Sequence, residues 1–432
     1  MIKLFEKNIS HEYELQERLI SLSEEFSVFN ILDSNQWKQD SYSSYDLLGA
    51  FGAASEIETN ASSLDQLQFF HDKNKEWSFG FLSYDIKNEL ENLASSNHDK
   101  IQAPNLYFFN PKLLILLKDD ILEILVHERY IEDKKILQVI DSIMRDKKNP
   151  STIHKAHKIN IKNRINKDDY LSAIANIRNH IKHGNIYELN FCQEFYAEEV
   201  DIQPLSVFRK LIHKSPTPFS SFMCRKGLYI LSASPERYIK KHGKKIISQP
   251  IKGTARRKSN DKEDAKAKAE LQHDIKERAE NIMIVDLVRN DLSHTAVEGS
   301  VKVEELCGIY SFEQVHQMIS TVCSNLKPEY NFIDVLKTTF PMGSMTGAPK
   351  IKAMELIEEY EKTKRGIYSG AIGYITPEGD FDFNVIIRTL IYNKETKYLS
   401  FIAGGAITFQ SEAEKEYEES LLKAEAIREI LS

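Results

Sequence analysis

Residues 250–257 read Pro-Ile-Lys-Gly-Thr-Ala-Arg-Arg and directly follow a strand-like run, Lys-Ile-Ile-Ser, at 245–248. This stretch holds a lysine, Lys252, on a Gly/Thr turn beside two arginines. Neighbouring cations disfavour the ammonium form of a lysine, so the pattern predicts that Lys252 is an amine nucleophile near neutral pH. A surface lysine in a basic turn is the alternative that this segment alone leaves open.

A carboxylic acid precedes this lysine in the chain. Glu236 ends the segment Ser-Ala-Ser-Pro-Glu at 232–236, just past another strand-like run at 228–231. If the fold brings Glu236 and Lys252 into one site, they form a proton donor and a nucleophile. We therefore predict that these two residues are the catalytic pair.

Length and composition limit the protein class. The chain has 432 residues, of which 41% are hydrophobic, and a net charge of −7 with both signs interspersed. It is long enough for two or three average domains or for one large intertwined unit, and global disorder is excluded. A nucleic-acid binder would show a basic face, and a membrane span would need about 18 consecutive apolar residues, so neither class is expected. The sequence predicts a soluble, cytoplasmic protein.

The four cysteines, Cys192, Cys224, Cys307 and Cys323, are far apart and show no Cys-x-x-Cys spacing. This predicts small core residues in a reducing compartment rather than a zinc site or a disulfide framework. None of them lies in a Gly-x-Cys-x-Gly elbow, so the chain shows no glutaminase nucleophile of its own.

Residues 1–150 mix strand-like runs with polar loops, and the turn at 118–120 predicts a hairpin. The polar stretch 145–167 is the best linker candidate. The segment 165–432 alternates strands and helices: it predicts a helix at 168–183, one long helix at 263–291, and a C-terminal helix capped by Ser411.

Two pairs of glutamates stand three residues apart on the predicted helices, Glu277 with Glu280 and Glu416 with Glu419. Like charges at that spacing share one helical face and destabilise it mildly unless a cation neutralises them. Mg²⁺ typically takes one or two carboxylates plus water and substrate oxygens. Two exposed acidic helix faces are the alternative that spacing leaves open.

Three further segments favour an anionic ligand. Residues 343–350 predict a glycine-lined helix N-terminus capped by a hydroxyl, which suits a carboxylate or a phosphate. Arg388 follows the apolar strand 385–387 and would need a buried anionic partner there, such as a substrate carboxylate, unless it reaches solvent at the strand end. The glycines at 404–405 permit a close backbone approach. His316 is either a core histidine or a site residue.

Together these segments resemble the chorismate-utilising enzymes. The matching stretches occur in the family's order over about residues 165–430 and are 232–236, 250–254, 279–291, 343–350, 368–373 and the Glu-rich C-terminal helix. The resemblance of residues 1–150 is weaker. Membership of this family would imply an α+β fold, an α/β/β/α sandwich of two large, mainly antiparallel sheets flanked by helices. In such a fold the segments 1–150 and 165–432 interleave.

The resemblance also implies the site residues. Mg²⁺ would be bound by Glu280 and Glu419, with Glu277 and Glu416 in support. Substrate contacts would come from Gly253, Thr254, His316, Ser344, Tyr368, Arg388, Gly404 and Gly405. Chorismate carries two carboxylates: the ion would clamp the ring carboxylate, and Arg388 with Tyr368 would hold the enolpyruvyl one.

Lys252 separates the branches of this family. Members that form anthranilate, isochorismate or salicylate typically have alanine there, whereas covalent aminodeoxychorismate formers have lysine. The resemblance thus implies that the Lys252 amine attacks ring carbon 2 while Glu236 protonates the departing carbon-4 hydroxyl. Ammonia then adds at carbon 4 and displaces the lysine.

Three positions depart from the family pattern. Glu188 stands where ammonia-using relatives more often carry glutamine, and Ala406 stands where glycine is common. Asp33, in the segment 31–37 that resembles a feedback tryptophan site, replaces the usual glutamate; we expect no regulation there, or a merely structural ligand. A separate glutamine amidotransferase subunit is the expected ammonia source. Anthranilate formation and a non-catalytic ligand-binding subunit remain the alternatives.

Overall fold

The computed structural model describes residues 1–9, 12–144 and 159–431, and the strands in these ranges form two antiparallel sheets. Residues 145–158 of the predicted linker lie outside the described ranges. The rest of that stretch holds a short strand and the start of a helix. Twenty strands are present in the described part of the chain: β1 (Ile2–Asn8), β2 (Val28–Asp33), β3 (Leu47–Thr59), β4 (Ser78–Leu82), β5 (Leu106–Lys118), β6 (Ile121–Val126), β7 (Lys162–Asn163), β8 (Glu188–Ala197), β9 (Phe219–Arg225), β10 (Leu228–Ser234), β11 (Arg237–His242), β12 (Lys245–Ser248), β13 (Ile251–Arg256), β14 (Lys302–Ser311), β15 (Val315–Asn325), β16 (Gly347–Ala348), β17 (Ala371–Ile375), β18 (Phe381–Val385), β19 (Thr389–Asn393) and β20 (Tyr398–Ile407).

Helices cover the outer faces of the sheets. The described ranges contain eleven α-helices: α1 (Glu12–Leu22), α2 (Ser63–Asn74), α3 (Lys87–Leu90), α4 (Lys134–Met144), α5 (Lys167–Lys182), α6 (Pro204–Lys214), α7 (Asp261–His273), α8 (Ile275–Ser293), α9 (Phe332–Thr339), α10 (Lys350–Tyr360) and α11 (Ala413–Ile430). No helix in these ranges has both the length and the apolar character that crossing a bilayer requires.

The first sheet runs β1-β6-β5-β3-β2-β9-β10-β19-β20-β8-β7, with β16 also paired to β8. The second runs β3-β5-β4-β17-β18-β11-β12-β15-β14, with β13 beside β15. Every pair of named strands in the described part of the chain is antiparallel. The predicted pair of large antiparallel sheets is therefore confirmed.

The two sheets share the long strands β3 and β5. One half of β3 pairs with β2 and one half of β5 with β6, whereas the other half of β5 pairs with β4. The β3–β5 register shifts between Ala53 and Ser55, next to Gly52, whose φ is +66°. A bulge of this kind bends a strand pair, which lets the same two strands enter both sheets.

Three layers of apolar side chains hold the sandwich together. One core lies between the first sheet and α1, α4, α6 and α11, and another lies between the second sheet and α2, α8 and α9. The third lies between the sheets and is formed by residues of β4 and β17 together with β2, β9 and β10. The strand run at 113–117 alternates between the first and third cores, which explains why it is apolar at every position.

Strands of residues 1–150 pair with strands of the remaining chain. β2 lies beside β9 and β4 lies beside β17, so each sheet contains strands from both parts of the sequence. The predicted hairpin at 118–120 is confirmed as the β5–β6 turn, and the four cysteines are free and buried, as expected.

Two helix predictions are wrong in detail. The long helix expected at 263–291 is two helices, because Asp274 adopts an extended conformation and caps α8 by accepting a hydrogen bond from the Glu277 backbone N–H at 2.9 Å. Ser411 does not cap α11: Glu412 precedes that helix, and the Ser411 hydroxyl accepts from the Thr408 backbone N–H at 3.0 Å instead.

The inter-sheet core makes a stability prediction. Leu114 is fully buried between the sheets, so Leu114→Ala removes apolar contacts and leaves a cavity. We expect the free energy of unfolding to fall by ~2–5 kcal/mol. Chemical denaturation followed by circular dichroism measures the change. Leu137→Ala, on the half-exposed face of α4, should change it by less than ~0.5 kcal/mol. Equal losses in both variants would contradict this core assignment.

Candidate active site

Two strand connections cross from one sheet to the other at the same place. β10 of the first sheet leads through Pro235 and Glu236 into β11 of the second, and β18 leads back through residues 386–388 into β19. The Val385 N–H donates to the Glu236 carbonyl at 3.0 Å, and the Ala233 N–H donates to the Arg388 carbonyl at 3.2 Å. The crossing therefore fixes Glu236 and Arg388 beside each other.

A cavity of about 1130 Å³ opens at this crossing. It is lined by most of the site residues predicted from the sequence, which come from eight separate stretches of the chain. The predicted residues in its lining are Glu236, Lys252, Gly253, Thr254, Glu277, Glu280, Ser344, Tyr368, Arg388, Gly404, Glu416 and Glu419. Gly405 lies directly against Glu419, since a Cβ built on it would stand 3.0 Å from Glu419 Oε1.

Glu236 is buried, and its carboxylate accepts a hydrogen bond from the Ser344 hydroxyl at 2.6 Å. Burial raises the pKa of Glu236 to about 7, although Ser344, Lys252, the Ile251 backbone N–H and Arg388 all favour the charged form. A carboxyl group with that pKa is substantially protonated near neutral pH and can donate a proton.

Lys252 lies on β13 with 9% of its side chain exposed, and its Nζ donates to Glu188 Oε1 at 2.6 Å. Burial lowers the pKa of Lys252, but the attraction of Glu188, Glu280 and Glu236 outweighs burial and the pKa is raised. The expectation that neighbouring cations disfavour its ammonium form is therefore wrong for this state. Carboxylates, not Arg256 and Arg257, dominate its surroundings.

In the part of the chain that the structure describes, the Arg388 guanidinium has no ion-pair or hydrogen-bond partner. Burial lowers the pKa of Arg388 to about 10, and Glu236 opposes this shift. Its backbone φ is +50°, a conformation that side chains larger than glycine adopt rarely and that tertiary contacts must hold. The Tyr368 hydroxyl lies 3.5 Å from Cys192 Sγ, so it contacts β8 rather than Arg388.

The four predicted metal-binding glutamates come together from α8 and α11. Burial raises the pKa of Glu280 to about 7 and also raises the pKa of Glu277 and of Glu416. Burial acts on Glu419 too, but Lys423, whose Nζ lies 2.7 Å away, lowers the pKa of that carboxyl. Lys276 Nζ lies 3.8 Å from Glu280 Oε1. Burial lowers the pKa of Lys276, but the charges of all four carboxylates outweigh burial and raise it.

This arrangement fits a divalent cation. Glu280 Oε1 is buried without a hydrogen-bond partner among the described residues, and an unpaired buried carboxylate oxygen is an available ligand. Within the described ranges, no three His, Cys, Asp or Glu side chains form a ready-made metal centre. A cation bound here would be held by one or two glutamates and completed by water and substrate oxygens, which is the coordination that Mg²⁺ prefers.

Glycine is required at the turn that carries the lysine. Gly253 has a φ of +98°, and a Cβ built on it would stand 3.1 Å from Met318 and 3.2 Å from Glu277 Oε2. The left-handed conformation brings β13 against α8, which places Lys252 beside the glutamate cluster.

Other predicted residues lie in different surroundings from those expected. His316 is not in the cavity lining: its ring nitrogens contact the Ser311 hydroxyl at 2.9 Å and Asp264 at 3.1 Å, as a core histidine would. The hydroxyl cap predicted for the helix start in 343–350 is wrong, because Pro349 precedes α10 without a side-chain cap. Ser344 instead contacts the acid Glu236.

Sequence reasoning missed two contacts that matter. The Ser344–Glu236 hydrogen bond joins two motifs 108 positions apart, and no local pattern signals it. The Glu188–Lys252 ion pair had a signal, namely the unusual acidic residue at 188, but not its partner.

The buried acid makes a pH prediction for stability. The pKa of Glu236 is raised above its ordinary value of 4.5 to about 7, so its favourable effect on folding is complete below pH 4.5 and is lost as the pH rises through 7. Glu236→Gln removes that loss and should stabilise the protein by up to ~3 kcal/mol at pH 8 but not at pH 4.5. Thermal unfolding of both proteins across this range measures it. The exposed Glu298→Gln should show no such pH dependence, and an equal gain at both pH values in Glu236→Gln would contradict the shift.

Comparison with known proteins agrees with this geometry. The family model for chorismate binding enzymes matches residues 29–429. Aminodeoxychorismate synthase component 1 of Bacillus subtilis is 29% identical over 367 residues, which cover 82% of this chain and 76% of that protein. Anthranilate synthase component 1 of Aquifex aeolicus is 30% identical over 363 residues, covering 81% and 72%.

A solved structure shows the same architecture. Anthranilate synthase component I from Streptococcus pneumoniae superposes with a TM-score of 0.78 at 26% identity, over 93% of this chain and 92% of that one. The resemblance inferred from the motifs is thus confirmed, and the chain belongs to the family of chorismate binding enzymes.

Proposed function

We propose that this protein is an aminodeoxychorismate synthase component I, which aminates chorismate with ammonia to give 4-amino-4-deoxychorismate. The observation that carries the proposal is the convergence of Lys252, Glu236 and Arg388 on one cavity. A nucleophile, a proton donor and an unpaired cation are the groups that this substitution requires. The proposed place of the reaction is para-aminobenzoate and folate biosynthesis in the cytoplasm.

The charges in the cavity suit a dicarboxylate. The Arg388 guanidinium forms no ion pair in the described part of the chain, so a substrate carboxylate would pair with it directly. At the other end, Glu280 and Glu419 would hold Mg²⁺ with support from Glu277 and Glu416, and the ion would supply Lewis-acid charge stabilisation at a second carboxylate. The backbone around Gly253 and Gly404 leaves room for the ring between them.

Lys252 and Glu236 would divide the substitution into two steps. The Lys252 amine attacks ring carbon 2, and the proton of Glu236 goes to the carbon-4 oxygen, which leaves as water. Ammonia then bonds to carbon 4 and the lysine leaves carbon 2, so the enolpyruvyl group is kept. The Ser344 hydroxyl, 2.6 Å from Glu236, orients the acid toward the cavity.

Ammonia would come from a separate glutamine amidotransferase subunit. The four cysteines are all buried, and none lies in a nucleophile elbow that could hydrolyse glutamine. Free ammonium should replace the partner in vitro.

Anthranilate formation is the second candidate, because anthranilate synthase components match this chain at similar identity. Lys252 favours amination at carbon 4, because a direct route would not use a lysine whose Nζ is buried in this cavity and held by Glu188 at 2.6 Å. A non-catalytic subunit of the same fold would not need the acid, the lysine and the glutamates in one cavity.

Product identity tests the proposal. Incubation with chorismate, Mg²⁺ and ammonium should yield 4-amino-4-deoxychorismate by chromatography, and para-aminobenzoate only after an aminodeoxychorismate lyase is added. Lys252→Ala should lose normal turnover, whereas Lys244→Ala, an exposed lysine on the preceding turn, should retain it. Fluorescent anthranilate appearing without the lyase would overturn the assignment, and undiminished turnover by Lys252→Ala would remove the nucleophile.

Metal binding is tested by calorimetric titration of the protein with Mg²⁺. Glu280→Gln should weaken binding by ~10-fold or more, since even an outer-sphere partner contributes that much. Because the pKa of Glu280 is about 7, protons compete with the ion below that pH, and wild-type binding should weaken as the pH falls from 8 to 6. The exposed Glu329→Gln serves as the control. Unchanged affinity in Glu280→Gln would show that the ion binds elsewhere.

A further inference from the structure

Two buried glutamates that do not line the cavity, Glu194 and Glu361, have both carboxylate oxygens occupied. Glu194, on the same strand as Glu188, accepts hydrogen bonds from Arg164 at 2.9 Å, from Thr363 at 3.0 Å, and from Tyr398 and Ser400 at 2.8 Å each. Four donors satisfy the charge of this carboxylate, as the burial of an anion requires. Glu194 has a structural role.

Glu361 shows the same pattern. It accepts from Arg365 Nε at 2.9 Å, from Arg365 Nη2 at 2.7 Å and from the Cys192 backbone N–H at 2.9 Å. Both oxygens are again in use.

Glu188 differs from both. The residue is fully buried, yet its one hydrogen bond among the described residues comes from Lys252 Nζ, at 2.6 Å to Oε1. Its second oxygen, Oε2, is buried with no hydrogen-bond partner in the same ranges. A carboxylate built only for structure would not leave an oxygen unsatisfied, because that omission costs ~1–3 kcal/mol.

The position of Glu188 is rigid. Its backbone pairs with Ala348 of β16, and a Cβ built on Gly347 would stand 2.2 Å from the Glu188 carbonyl oxygen. This close approach locks the first residue of β8 against the 343–348 turn, which also carries Ser344. The contact with Lys252 is therefore held by the fold.

The other acids that act on Lys252, Glu280 and Glu236, favour its charged form, but neither accepts a hydrogen bond from its Nζ in the described ranges. Glu236 accepts from the Ser344 hydroxyl instead. The positive charge of Arg388, at the same strand crossing, lowers the pKa of Glu236. In the described chain, Glu188 is thus the acid whose oxygen directly contacts the Lys252 amine.

We propose that Glu188 is the general base that removes a proton from Lys252 before the amine attacks, and that it returns the proton when the lysine leaves. This inference rests on the proposed function, since it assumes that Lys252 is the nucleophile. It assigns a catalytic role to Glu188, which does not line the cavity but contacts the reacting nitrogen of Lys252.

The proton and electron balance closes over one turnover. The Nζ–H bond of the Lys252 ammonium breaks and an O–H bond forms on Glu188, which frees the lone pair for the bond to carbon 2. The ring electrons expel the carbon-4 oxygen, which takes the Glu236 proton and leaves as water. When ammonia bonds to carbon 4, Nζ recovers its electron pair, leaves as the amine and takes the proton back from Glu188. The product nitrogen then gives its extra proton to the Glu236 carboxylate, which is thereby protonated again for the next turnover.

The experiment compares Glu188→Gln with wild type at saturating chorismate and Mg²⁺ and at fixed total ammonium, from pH 5.5 to 9. Protonation of Glu236 and of ammonia affects both proteins, so it cancels in the ratio of their kcat values. Without Glu188, Lys252 must lose its proton to water, a step that becomes easier as the pH rises. We expect the kcat ratio to be ~0.01 or lower at low pH and to climb as the pH rises, with KM for chorismate changed less than ~3-fold.

Glu188→Asp is the matched variant, because it keeps a carboxylate beside Lys252. Its kcat ratio to wild type should stay constant across the same pH range, even if its absolute rate is lower. A ratio for Glu188→Gln that is constant with pH, or close to one throughout, would overturn the role as a base. So would a Glu188→Asp ratio that climbs with pH as the Gln ratio does.

Failure of the proposed function gives a different result. If Lys252→Ala turns over chorismate as fast as wild type, the nucleophile itself is wrong. If Lys252→Ala is inactive while the Glu188→Gln ratio is constant with pH, only the role of Glu188 fails.

Discussion

The site depends on the backbone crossing at which β10 leads into β11 while β18 leads into β19. Hydrogen bonds between Val385 and Glu236, and between Ala233 and Arg388, tie the two connections together where the strands leave one sheet for the other. Side chains at such a crossing cannot pack into either sheet, so an acid and an arginine face the cavity between them. The inter-sheet core, to which β4, β17 and β10 contribute, supports this geometry.

Burial of charge gives the cavity its chemistry at a cost in stability. Glu236 and Glu280 both have pKa values raised to about 7 by burial, and Arg388 has a pKa lowered to about 10. Groups so displaced from their ordinary values destabilise the free protein near neutral pH. Under the proposed function, an anionic substrate and a cation would offset this cost when they bind.

Much of the fold and of the site could be predicted from the sequence, because the motifs that carry it are local. Segments such as 250–254 and 232–236 identify the acid and the lysine, and alternating burial explains the run at 113–117. Two features that could not be predicted depend on tertiary contact: the engagement of His316 by Asp264 and the raised pKa of Lys252 arise from partners distant in sequence. The break of the long helix is local, because Asp274 accepts a hydrogen bond from the Glu277 backbone N–H.

The central claim is that the Lys252 nitrogen forms a bond to the substrate ring. Peptide-level mass spectrometry of the protein quenched after mixing with chorismate and Mg²⁺, with ammonium omitted, tests this most directly. The account predicts that the peptide containing Lys252 gains the mass of chorismate less one water, and that ammonium removes the adduct. A peptide that stays unmodified while the same sample forms 4-amino-4-deoxychorismate once ammonium is added would contradict it.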